Sequence, residues 1–107
     1  MDERQLDVLR SAIFKYGEQA QIYMAIEEMA ELIHALSKHK RYGRCLESKV
    51  REEMSDVIIM LEQLKMMFGR VDEEVDKKVK RLDKRLREED PALARMSYVE
   101  RYRRWNR

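Results

Sequence analysis

An acidic phrase that occurs twice constrains this chain more than any other feature. It reads Glu27-Glu28-Met29-Ala30-Glu31 and, further on, Glu52-Glu53-Met54-Ser55-Asp56. Each copy holds two carboxylates three residues apart, Glu28 with Glu31 and Glu53 with Asp56. Residues at i and i+3 share a helix face, so each pair points one way. Leu32, Ile33 and Leu36 follow the first copy, and Val57, Ile58 and Leu61 follow the second. The carboxylates therefore border apolar stripes instead of lying in a solvated run of charge. If the two helices form an antiparallel hairpin turning near Tyr42 and Gly43, residue 42 is the midpoint of both 28/56 and 31/53. Glu28 then lies level with Asp56, and Glu31 level with Glu53. Four carboxylates in one small volume repel one another. An oxygen-only site of this kind suits a hard cation, Mg²⁺ or Mn²⁺.

Periodicity reads the rest of the chain as helix. Leu6, Leu9, Ile13 and Tyr16 make one face of a first helix that Gly17 caps or bends. Ile22, Ile26, Met29, Ile33 and Leu36 give a second stripe; Val50, Met54, Val57, Leu61, Leu64 and Phe68 a third. Gly43 is a candidate left-handed cap for the second helix, and Gly69 ends the third. Asp72 is the expected N-cap of a fourth helix, whose stripe is Val75, Val79, Leu82 and Leu86 and which Asp90-Pro91 stops. Only three Gly and one Pro interrupt the 107 residues. The expected fold is all-α: an antiparallel bundle of about four helices over 1–90, then a short helical tail over 91–107. A core this small argues for completion by a homo-oligomer.

Composition removes several function classes. A net charge of +2 gives no general case for nucleic acid. The tail does interleave Tyr98, Tyr102 and Trp105 with five arginines, which points to docking on the fold or on a neighbouring subunit before it points to nucleic acid. No apolar run approaches the roughly 18 residues a membrane span needs. Lone Cys45 permits no internal disulfide and, without a signal sequence, implies a reducing cytoplasm. Glu31 and His34 have the Glu-x-x-His spacing of di-iron bundles, but His39 has no Glu three residues before it, so the second half is missing.

Taken together, EExxE, a spacer and ExxD resemble the MazG-like branch of the all-α nucleoside triphosphate pyrophosphohydrolases. The resemblance spans roughly Tyr16 to Leu86, with Tyr16-Gly17 and Gln21 upstream and Lys78-x-x-Arg81 downstream. It implies Mg²⁺ held by Glu28, Glu31, Glu53 and Asp56, cleavage of a nucleoside triphosphate to the monophosphate and pyrophosphate, and a dimer or a dimer of dimers. Glu27 or Glu31 is placed to orient or deprotonate the water. Lys38, Arg41, Lys78 and Arg81 are candidates to hold phosphates. Gln21 shares the Glu28 face, and Met60, four residues after Asp56, is a candidate pocket wall. The competing reading is a non-catalytic helical adaptor whose basic tail binds nucleic acid or a protein partner.

Overall fold

Asp2 opens the first helix with a reciprocal cap. Its carboxylate accepts from the Gln5 N–H at 2.8 Å, and the Gln5 side chain accepts from the Asp2 N–H at 3.0 Å. These two bonds satisfy donors that every helix start leaves bare. The structure, a computed structural model, describes residues 1–42 and 46–105. Six helices and no strand occur among them: α1 (Glu3–Tyr16), α2 (Glu18–Tyr42), α3 (Glu47–Phe68), α4 (Asp72–Glu89), α5 (Pro91–Arg95) and α6 (Tyr98–Trp105). The expected all-α class is correct. None of these helices is long and apolar enough to cross a membrane. The Gly43 cap and Cys45 lie outside the described residues.

Gly17 and Gly69 close α1 and α3 with φ of +92° and +106°, a region that only glycine enters without strain. Their N–H groups donate to the carbonyls of Ile13 and Lys65 at 2.8 and 2.9 Å. Asp72, by contrast, is not the N-cap of α4. Val71 holds that position without a side-chain cap, and Asp72 is the first helical residue. It leads an acidic first turn with Glu73 and Glu74, which the positive end of the helix dipole favours. Asp90 ends α4 as expected and caps α5 by accepting from the Leu93 N–H at 3.1 Å.

The chain divides into two compact units, Met1–Arg70 and Val71–Arg107. In the first unit, α2 packs along α3, and α1 packs against both. Contacts between α2 and α3 pair Gln21 with Gln63, Glu28 with Asp56 and Glu31 with Glu53. Each pair of numbers sums to 84, so the two helices run antiparallel about residue 42, in the expected register.

The faces that meet differ from those expected. The buried residues of α2 are Gln21, Ala25 and Ala35, and those of α3 are Glu53, Met60 and Gln63. The expected stripe residues Ile26, Ile33, Leu36, Met54, Leu61 and Phe68 are exposed, Ile33 to 66%. On each helix the packed face lies one residue round from the apolar stripe, a rotation of about 100°. Small Ala25 and Ala35 on α2 favour close approach of the backbones. The α2–α3 contact is thus a polar seam, and the bulky aliphatic residues flank it.

Gln63 joins all three helices of this unit. It is 2% exposed, accepts from Gln21 Nε2 at 2.9 Å, and donates through Nε2 to the Leu9 carbonyl at 3.1 Å. Leu9 is itself the buried residue of α1. In the second unit, α5 packs on α4, and the rings of Tyr98 and Tyr102 on α6 stack with centroids 6.2 Å apart. The α4 stripe of Val75, Val79, Leu82 and Leu86 is exposed.

Truncating Gln63 strands two buried partners at once. Gln63→Ala is expected to lower the free energy of unfolding by about 2–6 kcal/mol, at about 1–3 kcal/mol for each group left unsatisfied. Gln21→Ala, which leaves the bond to Leu9 intact, should cost clearly less. Urea denaturation of both variants measures the difference; equal losses would assign Gln63 no joining role.

Candidate metal centre

Helix geometry places the carboxylates before any side chain is considered. Glu28 and Glu31 are one turn apart on α2, Glu53 and Asp56 one turn apart on α3, and the antiparallel register sets the two pairs side by side. One oxygen each from Glu28, Glu53 and Asp56 lies within 4.8 Å of the others. Glu31 stands at the exposed edge of the group, within hydrogen-bond reach of Glu53. Glu28 is half-buried and Glu53 only 4% exposed.

The electrostatics carry the mark of this crowding. Burial, followed by the charges of Glu31, Asp56 and Glu53, pushes the Glu28 carboxyl above its ordinary value of 4.5. Glu53 goes the other way. A hydrogen bond from the Lys49 ammonium holds its carboxyl down, against the opposing effect of burial. Lys49 Nζ lies 2.8 Å from Glu53 Oε1, and that bond, with the charges of Glu52 and Glu53, raises the lysine.

The donor set fits a hard divalent cation. All its atoms are carboxylate oxygens, which Mg²⁺ and Mn²⁺ prefer. Glu28 Oε2 and Glu53 Oε2 are buried and accept no hydrogen bond. A buried, unsatisfied charged oxygen is costly, and a cation among Glu28, Glu53 and Asp56 would remove that cost.

A cavity of about 350 Å³ adjoins the cluster. Glu31, His34 and Lys38 line it from α2, and Lys49 and Glu53 from α3. Each helix thus contributes both a carboxylate and a lysine to the cavity wall. The first unit by itself brings together Glu28, Glu31, Glu53 and Asp56 and sets Lys38 beside them. Glu27 is exposed, one residue round the helix from Glu28. Gln21 is engaged with Gln63, and Met60 is buried. Arg41 does not line the cavity; its guanidinium sits 5.8 Å from the centre of the Tyr42 ring. Lys78 and Arg81 are exposed residues of α4, in the second unit.

Lys49, His34 and Gln63 are the residues whose place here was not foreseen. For two of them the signal was available in the register. Lys49 precedes Glu53 by four residues and sums to 84 with buried Ala35; Gln63 sums to 84 with Gln21. No family model matches the chain, nor does any curated protein or solved structure.

Glu28 yields a pH signature whose sign is fixed. Its folded-state pKa lies above the unfolded one, so between the two values the native state binds more protons. Stability from this group is then lost as pH rises through that window and stays lost above it. In EDTA, Glu28→Gln should melt higher than the natural chain at pH 7, and the gain should shrink as pH falls towards 4.5. Thermal melts across that range measure it, and a gain that grows on acidification would contradict the assignment.

Proposed function

We propose that this protein is a Mg²⁺-dependent nucleoside triphosphate pyrophosphohydrolase of the MazG-like kind, acting on a nucleoside or deoxynucleoside triphosphate in cytoplasmic nucleotide housekeeping. The observation that carries the reading is the convergence of Glu28, Glu53 and Asp56 within 4.8 Å, with unpartnered buried oxygens, beside a cavity lined by His34, Lys38 and Lys49. Carboxylates alone repel a polyphosphate, and lysines alone do not hold Mg²⁺. The two groups of residues side by side suit a substrate that arrives with a divalent cation.

Glu28, Glu53 and Asp56 hold the cation in this reading, with Glu31 completing the set from the edge. Mg²⁺ held by these residues would supply charge neutralisation for phosphate oxygens and would acidify water at the site. Glu31, or Glu27 from the neighbouring face, accepts the proton of the attacking water. Lys38 and Lys49 take charge that builds on the departing pyrophosphate. Lys78 and Arg81, exposed on α4, are further candidates to hold phosphates on the strength of their charge. The hinge of the arrangement is Gln21 with Gln63, seven residues from Glu28 and Asp56 respectively, which fixes how α2 and α3 lie against each other.

Assembly belongs to the same proposal. The helices complete an antiparallel bundle by oligomerisation, as a dimer or tetramer. The flanking aliphatic residues Ile26, Ile33, Ile58 and Leu61, and the α4 stripe, are exposed in the single chain and suit a subunit interface.

A panel of nucleoside triphosphates assayed with Mg²⁺, with pyrophosphate and orthophosphate measured separately, tests the reaction. Pyrophosphate and the monophosphate are the expected products. Glu28→Gln and Asp56→Asn should each lower turnover by about a hundredfold or more, because each leaves the cation short of a ligand. Orthophosphate with a nucleoside diphosphate would reassign the cleaved bond. No consumption of any triphosphate would leave the helical adaptor as the better account. Light scattering should give a mass of two or four times 13.0 kDa; a monomer at micromolar concentration would remove the assembly from the proposal.

A further inference from the structure

We propose that Lys49 is the built-in counter-ion of the acidic cluster, and that its ammonium and a divalent cation exchange at Glu53. The inference rests on the metal reading above and concerns what the chain does before the cation arrives.

Glu53 is the most deeply buried carboxylate of the group, and its two oxygens differ. Oε1 accepts from Lys49 Nζ at 2.8 Å, whereas Oε2 is buried with no hydrogen-bond partner. One ammonium therefore satisfies one oxygen and leaves the rest of the cluster uncompensated. Glu28 Oε2, on the opposite helix, is unpartnered as well. A divalent cation brings twice the charge and reaches oxygens of Glu28, Glu53 and Asp56 together, which a lysine tethered on α3 does not.

Two positive groups on one carboxylate repel at contact distance. Lys49 is free to leave: its side chain is 55% exposed, whereas Glu53 is fixed in the seam. It also lies on the wall of the adjoining cavity with Lys38 and His34. Displaced from Glu53, its ammonium stays in water on that wall, with exposed Glu52, 3.8 Å away, as its remaining ion pair. Cation binding and positive charge in the cavity become coupled through one side chain. Without the cation, Lys49 is occupied in holding the cluster together. With it, Lys49 is available to an anion.

Direct exchange at Glu53 differs from a general field effect, and Lys38 supplies the contrast. It lines the same cavity and has no ion pair with Glu53. Mn²⁺ affinity is measured by electron paramagnetic resonance of the free ion, for the natural chain, Lys49→Gln, Lys49→Arg and Lys38→Gln. Loss of a competing contact charge should tighten Mn²⁺ by about tenfold in Lys49→Gln, the size of a one-unit shift from an adjacent charge. Lys38→Gln should change it by less than about threefold, and Lys49→Arg should stay near the natural chain. A second readout needs no variant. The side-chain ammonium signal of Lys49, seen by ¹⁵N nuclear magnetic resonance in EDTA, should shift on saturation with Mg²⁺. Equal tightening in Lys49→Gln and Lys38→Gln, or an unmoved Lys49 signal in the Mg²⁺-saturated chain, overturns the exchange and leaves the metal site standing. Absence of Mn²⁺ binding in every variant overturns the metal reading and the exchange with it.

Discussion

The first unit depends on a polar contact between two helices. Most helix pairs meet along aliphatic ridges; α2 and α3 meet along Gln21, Ala25, Glu28 and Ala35 on one side and Glu53, Asp56, Met60 and Gln63 on the other. Burying such groups is unfavourable unless partners are supplied. At one level the amides of Gln21 and Gln63 supply them, with the Leu9 carbonyl. At the other level Lys49 answers a single oxygen of Glu53. The two levels thus differ in kind: one is complete and ties three helices together, and the other is in deficit of positive charge.

Under the proposed metal reading, that deficit has a use. A site built to hold a cation must present more negative charge than the chain itself neutralises, and the surrounding structure must bear the repulsion meanwhile. The closed amide network next to the cluster and the ion pair at its edge share that task. The exposed aliphatic residues beside the seam fit the same division: the interior of the hairpin is given over to polar chemistry, so much of the apolar surface faces outward.

Much of this was legible in the sequence. The helical class followed from periodicity and from the scarcity of Gly and Pro. The convergence of Glu28, Glu31, Glu53 and Asp56 followed from two three-residue spacings and a hairpin expected to turn near Tyr42 and Gly43. Gly17 and Gly69 stopped their helices as read. The packed faces did not follow, because hydrophobicity marks the residues that avoid water without saying which surface covers them. Ile33 and Leu61 form stripes as regular as any core, and in the single chain they are exposed. Asp72 was misread for a related reason: a carboxylate is favourable both at the cap and in the first turn, and composition does not separate the two. Lys49 and Gln63 were missed because neither belongs to a motif, although the register that located the carboxylates also located them.

The amide level and the carboxylate level are separated by seven residues on both helices, 21 to 28 on α2 and 56 to 63 on α3. This equality restricts how the chain can change length. An insertion in the connection between α2 and α3 leaves both levels matched. One residue added between Gln21 and Glu28, with α3 unaltered, turns one level away from its partner by about 100° whichever level is kept. The spacing within the helices is therefore under a tighter rule than the identity of many residues on their outer faces, and drift in this lineage should be tolerated as substitution there and as length variation only at the turn.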